Sequence, residues 1–305
     1  MKKVLIIGAG EIGTAISKIL ESKSDIKIHV WDINPKKCLA EEKLSEIVPI
    51  ANIIFLCVPT QCLADAIDQI DEYISSTTYL VSLSKGIDPD LMIFSDGIFP
   101  KYAPRGVKWG ILGGPMLAEE LSKKSHTVGV IASHSSVLRK FIIELFYKTH
   151  LSIIESDDVK GVAVSGVLKN VYAIGMGIAA GLSYDSNTIA SLFSASFVEF
   201  EKLVQVFGGK QKTALGPAGL GDLMATGLSK YSSNRSFGFA LARDKPFLKE
   251  TEGGSSLGGL AYMLKKKKID PPKIFSAINK SVKKGKKVKR IFEPNLFINQ
   301  SIFIN

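Results

Sequence analysis

The feature that most constrains the fold is the opening stretch. Val4–Ile7 is a short apolar, β-favouring run that leads at once into Gly8-Ala9-Gly10-Glu11-Ile12-Gly13, and Thr14–Leu20 then follows with a helical pattern. Strand, glycine turn and helix in that order suit a particular task. The first glycine permits the tight turn, the second lets a pyrophosphate approach the backbone, and the third lets helix and strand pack closely. The positive end of the helix then faces the phosphate charge. Glycines at this spacing are a weak signal alone, and the strand before and helix after supply the context that gives them weight.

The next apolar run, Ile26–Trp31, ends in Asp32, a little over twenty positions after Gly8. A carboxylate there binds ribose hydroxyls and repels a 2′-phosphate, which favours NAD as the cofactor. Lys36 and Lys37 follow closely and offer charges for that phosphate, so NADP stays open. The other reading of Asp32 is an ordinary turn residue at a strand end. Ile53–Val58, Tyr79–Leu83, Val107–Leu112, Thr127–Ala132 and Leu151–Ile154 repeat the buried-strand pattern, and helical stretches separate several of them, at Cys62–Tyr73, Met116–Lys123 and around Val137–Tyr147. Such alternation predicts an α/β domain with a doubly wound, Rossmann-type parallel sheet. Pro59, Lys85 and Gly114 all fall just after strands, at the edge where such sheets bind ligands.

From Ser156 onward the pattern changes, and the apolar stretches read as helices: Val159–Leu182, Thr188–Phe207, Leu220–Ser229, Ser236–Arg243, Leu257–Lys267 and Pro272–Lys283. The expected organisation is a dinucleotide-binding domain over 1–155 and an all-helical substrate domain over 156–305. At 46% hydrophobic and 22% charged, 305 residues suffice for two such cores.

Within the helical half, Gly161–Leu182 is strongly apolar yet holds Lys169 and Asn170 at its centre. Those polar residues divide the run into pieces too short to cross a bilayer, so no stable membrane insertion is expected. Neighbours at helical spacing, Ser165, Gly166, Tyr172 and Ala173, leave the Lys169 ammonium poorly hydrated. Such a lysine suits an acid/base role or an anion ligand, the ordinary alternative being a buried stem whose head reaches solvent. Asp222 is the candidate counter-ion, its alternative role being an N-cap. Asn234 and Arg235 offer donors suited to phosphate.

Cys38, Cys57 and Cys62 cannot all pair and have no metal-type spacing with the histidines, which points to a reduced, cytoplasmic setting without a metal. Much of the net charge of +10 lies late in the chain, at Lys265–Lys268 and Lys283–Arg290. Without interleaved aromatics these runs read as solvated helix faces or a tail, and no nucleic-acid partner is expected.

Taken together the motifs resemble those of the bacterial-type NAD(P)-dependent glycerol-3-phosphate dehydrogenases. They are GAGEIG at Gly8–Gly13, VPT at Val58–Thr60, SKG at Ser84–Gly86, GGP with AEE at Gly113–Glu120, LKNVYAIGMGIAAGL at Leu168–Leu182, GLGDL at Gly219–Leu223, SNR at Ser233–Arg235 and EGG at Glu252–Gly254. The resemblance runs from Val4 to about Leu264. It implies interconversion of sn-glycerol 3-phosphate and dihydroxyacetone phosphate, feeding phospholipid synthesis, with Lys169 as general acid/base and Lys85 and Asp222 tuning it. It also implies substrate contacts from Lys85, Gly114, Asn170, Thr226, Asn234 and Arg235. Cofactor contacts would come from Gly8, Gly10, Glu11, Ile12, Gly13, Asp32, Pro59, Lys85, Arg235 and Glu252. A homodimer is compatible with this reading. Two departures stand out: the family has arginine where this chain has Ser233, and serine where it has Met116. The first leaves a related hydroxy-acid dehydrogenase open, and a non-catalytic nucleotide-binding homologue is the other alternative.

Overall fold

The structure, a computed structural model, describes residues 1–38, 43–284 and 288–298. By its contacts the chain divides into two compact units, Met1–Ala163 and Val164–Asn305.

The first unit is built on a seven-stranded sheet in the order β2-β1-β3-β4-β7-β8-β9. Its strands are β1 (Lys2–Ile7), β2 (Ile26–Trp31), β3 (Ile53–Leu56), β4 (Tyr79–Ser82), β7 (Lys108–Gly113), β8 (Thr127–Ala132) and β9 (Leu151–Ser156), while β5 (Ile87–Asp88) and β6 (Ile93–Phe94) form a small separate hairpin. The helices are α1 (Glu11–Leu20), α2 (Leu44–Ile47), α3 (Leu63–Asp68), α4 (Phe99–Tyr102), α5 (Ala118–Ser122) and α6 (Ser136–Leu145). Side chains of a strand alternate between faces, and β1 shows the result. Val4 and Ile6 join a core with Ile16, Ile19, Leu138 and Ile142, whereas Leu5 and Ile7 join another with Ile54, Leu63, Ile67 and Phe99. Both faces are therefore covered at the centre of the sheet, which is why Val4–Ile7 of β1 and all of β3 read as continuous apolar runs, whereas the outer strands β2 and β9 are interrupted by polar, exposed residues.

The expected parallel sheet needs one correction. β8 runs antiparallel to β7, with Ile111 opposite Ala132, and parallel pairing resumes between β8 and β9. The β7–β8 connection holds only the five-residue α5, and so short a helix with its turns returns the chain rather than carrying it across the sheet. The helix expected over Cys62–Tyr73 is also broken, into α3 flanked by 3-10 turns at Thr60–Cys62 and Asp71–Tyr73.

From Val159 onward the described residues form only helices and turns: α7 (Val159–Gly181), α8 (Ser186–Val206), α9 (Gln211–Leu215), α10 (Asp222–Leu228), α11 (Ser233–Ala242), α12 (Glu252–Lys266), α13 (Lys273–Lys284), α14 (Val288–Ile291) and α15 (Asn295–Ile298). α7 is long and apolar enough by composition to cross a membrane, yet its apolar window is wholly buried within the protein. Its glycines explain how it packs. A Cβ on Gly177 would lie 1.9 Å from the Arg235 carbonyl oxygen, and one on Gly238 of α11 would lie 2.0 Å from that of Ile174. The α7 and α11 backbones thus meet where side chains would hold them apart, which offsets the intrinsic cost of about 1 kcal/mol for each helical glycine.

Two helices start earlier than their apolar periodicity suggests, for a shared reason. Ser232 Oγ accepts from the Arg235 N–H and Thr251 Oγ1 from the Gly254 N–H, capping α11 and α12. Polar or small residues fill the first turn of each, Ser233-Asn234-Arg235 and Glu252-Gly253-Gly254, so these turns carry little apolar signal.

Candidate functional site

In the first unit the glycine turn sits where the strand order reverses, between β1 and β3. Gly8 has φ +99°, and a Cβ there would lie 2.6 Å from the Cys57 carbonyl oxygen at the end of β3. A Cβ on Gly13 would fall 2.0 Å from the Gly8 carbonyl oxygen, so α1 is drawn tightly onto the turn. Gly10 differs: nothing lies within 4 Å of its would-be Cβ. It caps α1 without contributing a side-chain acceptor to the helix's first N–H groups. Open space above bare backbone at a helix N-terminus fits a dinucleotide's pyrophosphate.

Asp32 follows β2. Its Oδ2 accepts from the Ala9 N–H at 2.8 Å and its Oδ1 from the Asn34 N–H at 2.9 Å. The carboxylate thereby ties the β2 end to the glycine turn, while Lys36 and Lys37 are exposed on the next turn. Cys57, packed beneath, is a neutral filler: burial pushes its thiol up to about 12.

The loops after β3 and β4 are fastened to each other. Ser84 Oγ donates to the Val58 carbonyl at 2.6 Å, and the Thr60 side chain lies so close to Gly86 that a Cβ there would stand 2.7 Å from Thr60 Oγ1. Lys85, between them, donates to the Gly114 carbonyl at 3.1 Å. Gly114 itself has φ +108°, a conformation that favours glycine. Pro59, Lys85 and Gly114 therefore belong to one packed edge at the C-terminal ends of β3, β4 and β7.

In the second unit Lys169 is 6% exposed and Asp222 1%. Lys169 Nζ lies 3.3 Å from Asp222 Oδ1 and donates to Thr226 Oγ1 at 2.9 Å, while Thr226 Oγ1 donates to the same Asp222 oxygen at 3.2 Å. A buried ammonium needs a carboxylate and hydrogen bonds to stay charged, and this triangle supplies both. Gly221, not Asp222, occupies the N-cap of α10.

One residue along α7, Asn170 enters a second network. Its Nδ2 donates to Glu252 Oε2 at 2.9 Å, its Oδ1 accepts from Asn234 Nδ2 at 2.9 Å, and Asn234 Oδ1 accepts from the Gly253 N–H at 2.9 Å. A carboxylate only accepts and a backbone N–H only donates, so Glu252 and Gly253 at the start of α12 dictate which way both amides face. Glu252, grouped with cofactor contacts on resemblance, is thus joined to Asn170 within the second unit. Arg235, partly exposed on α11, adds a guanidinium one residue beyond Asn234.

A further buried acid, Glu199 on α8, was not anticipated from the sequence. It accepts from Tyr172 Oη at 3.1 Å and from the N–H groups of Ile274 and Phe275 at 2.8 and 3.0 Å, anchoring the start of α13. Burial raises its carboxyl above the usual range, against those hydrogen bonds. Burial, and then the charge and hydrogen bond of Glu199, push the Tyr172 hydroxyl well above its ordinary value. The only sequence signal was a lone glutamate among aromatics in Phe197–Phe200. No group of three or more potential metal ligands occurs among the described residues.

The comparisons with known proteins agree with this geometry. Residues 32–138 match the family described as NAD-dependent glycerol-3-phosphate dehydrogenase N-terminus, and residues 158–293 match its C-terminus. Glycerol-3-phosphate dehydrogenase [NAD(P)+] of Halothermothrix orenii is 31% identical over 262 residues, covering 79% of this chain and 76% of that protein. The Staphylococcus aureus protein of the same name is 27% identical over 308 residues, covering 89% and 91%. The crystal structure of glycerol-3-phosphate dehydrogenase from Coxiella burnetii superimposes with a TM-score of 0.85 at 26% identity, covering 95% of this chain and 97% of that one. With a glycine cradle in one unit, a buried lysine–aspartate–threonine triangle in the other, and family matches across both, the chain belongs to the NAD-dependent glycerol-3-phosphate dehydrogenase family.

Proposed function

We propose that this chain interconverts dihydroxyacetone phosphate and sn-glycerol 3-phosphate with NAD(P) as redox partner, supplying glycerol 3-phosphate for phospholipid synthesis in the cytoplasm. The observation that carries the reading is Lys169, a buried amine held by Asp222 and Thr226. When bound, the nicotinamide supplies or accepts the hydride, and the protein's task is orientation and proton handling. In reduction Lys169 Nζ gives a proton to the carbonyl oxygen, and in oxidation it takes the hydroxyl proton back. Asp222 keeps the ammonium form supported and Thr226 fixes its direction. Asn170, its amide oriented by Glu252 and Asn234, aligns substrate oxygens, and Arg235 with Asn234 holds the phosphate. Lys85 contributes a further cation toward the substrate.

Residues 1–155 carry dinucleotide binding in this reading and residues 156–305 carry the substrate. Gly8, Gly10, Glu11, Ile12 and Gly13 take the pyrophosphate, with Pro59 on the neighbouring loop. Asp32 favours NAD over NADP, because a 2′-phosphate would meet its charge. The chain acts alone or as a homodimer, which light scattering distinguishes.

The test is oxidation of NADH on adding dihydroxyacetone phosphate, repeated with NADPH and with unphosphorylated 2-keto acids. Turnover of the phosphorylated ketone, faster with NADH, is expected. Turnover of a 2-keto acid alone would assign a hydroxy-acid dehydrogenase, a reading that Ser233 in place of the family's arginine keeps in view. NADH binding without turnover of any ketone would leave a non-catalytic homologue.

A further inference from the structure

Between Lys265 and Arg290 the sequence holds eleven lysines and one arginine against a single carboxylate, Asp270, so this segment alone exceeds the chain's whole net charge of +10. The fold turns most of that charge outward. Lys265–Lys268 are all exposed at the end of α12. On α13 the inner face, with Ile274, Phe275 and Ile278, is wholly buried, while Lys273, Lys280 and Lys283 are exposed on the outer one. α14 packs against α13 and adds exposed Lys289 and Arg290. The result is a set of exposed basic side chains, here called the ridge, at the end of α12, on the outer face of α13 and on α14, with the buried apolar face of α13 beneath.

We propose that this ridge docks the protein on anionic phospholipid bilayers. Clusters of four to eight basic residues on an amphipathic helix are what a negatively charged lipid surface attracts. Lysine dominates, and a flexible point charge suits a fluid array of headgroups, whereas base and phosphate reading in nucleic acids relies on arginine forks and stacked aromatics. The aromatic side chain of the segment, Phe275 of α13, is buried, and so is Phe292 just past α14. At the ridge margin Tyr262, 51% exposed, lies one helical turn before Lys265 and Lys266, an amphipathic ring placed for an interfacial contact. Because the apolar face of α13 is already used inside the fold, attachment is electrostatic and reversible rather than insertion of a helix. The inference is independent of the reaction assigned above.

Co-sedimentation of the full chain with phosphatidylcholine vesicles, with and without phosphatidylglycerol, tests it at about 0.15 M salt. Binding to the anionic vesicles only, falling steeply as salt is raised, is expected. Joint reversal of Lys265→Glu, Lys267→Glu, Lys280→Glu and Lys283→Glu should weaken it by roughly tenfold or more. Reversal of four exposed lysines elsewhere, Lys18→Glu, Lys27→Glu, Lys101→Glu and Lys140→Glu, changes net charge equally and should leave most of the binding. If the first variant fails to fold, the corresponding lysine-to-glutamine set replaces it. Equal binding to neutral vesicles, or equal loss in both reversals, overturns the proposal. Tighter binding to duplex DNA than to the vesicles at the same salt also overturns it, giving the ridge to nucleic acid.

Discussion

At the scale of single residues, the second unit places a cation in its interior and surrounds it with groups that make the charge tolerable. Lys169→Ala should therefore lower turnover by roughly two or more orders of magnitude, with NADH binding retained, as steady-state rates and fluorescence titration would show. Near-normal turnover would remove Lys169 from the acid/base role. Asp222→Ala tests the pair from the other side. It strands an ammonium that is 6% exposed, so a loss of about 3–5 kcal/mol in urea-unfolding stability is expected, and a loss under 1 kcal/mol would mean that the ion pair does little. Lys169 was legible as a charge set in an apolar helical run. Thr226 was named only among the substrate contacts that the family resemblance implies, and its bond to Lys169 was not. Glu199 was hidden, because besides Tyr172 it is held by backbone N–H groups of α13, more than seventy positions along, and no side-chain pattern announces them.

The elements obey close-packing rules that single residues decide. At the α7–α11 crossing a Cβ on Gly177 meets backbone, which cannot rotate away. Gly177→Ala should consequently cost at least 1–3 kcal/mol in thermal or urea unfolding and disturb phosphate-dependent KM, since the carbonyl it strikes belongs to Arg235. A stability unchanged within error would show that the helices separate freely. The α8–α13 junction gives a pH-dependent prediction. Glu199 has its carboxyl raised in the fold, chiefly by burial. Such a group contributes stability fully below its unfolded pKa and loses that contribution as pH rises through the folded one. The stability of the wild type minus that of Glu199→Gln should thus fall as pH climbs above the ordinary carboxylate range. A difference that grows with pH there would show that its hydrogen bonds outweigh desolvation. The central strands of the first unit were readable because burial on both faces leaves apolar runs such as Val4–Ile7 and Ile53–Leu56, whereas the starts of α11 and α12 depend on caps followed by polar or small residues that carry no apolar periodicity.

On the scale of the whole molecule, cofactor binding and folding are linked, since a ligand held only by the native state stabilises it by about 2.7 kcal/mol at a hundred times its Kd. Excess NADH should raise the unfolding temperature, and Gly10→Val should abolish that rise while costing the ligand-free protein only about 1 kcal/mol, from the poorer N-cap of α1. The reason is local: a Cβ at Gly10 has no protein atom within 4 Å, and in the proposed reading it stands where the pyrophosphate would lie. A retained NADH shift in that variant would place the dinucleotide elsewhere. By itself the sequence determined what is encoded within short stretches: the strand–glycine–helix unit, the change from alternating elements to helices near Ser156, and a lysine in an apolar run. Only the tertiary structure decided the antiparallel turn of β8, the side-chain partners of Asn170 and Glu199, and the outward exposure of basic residues on α12, α13 and α14. Those depend on contacts between residues far apart in the chain, and local propensity and periodicity carry no information about which distant groups will meet.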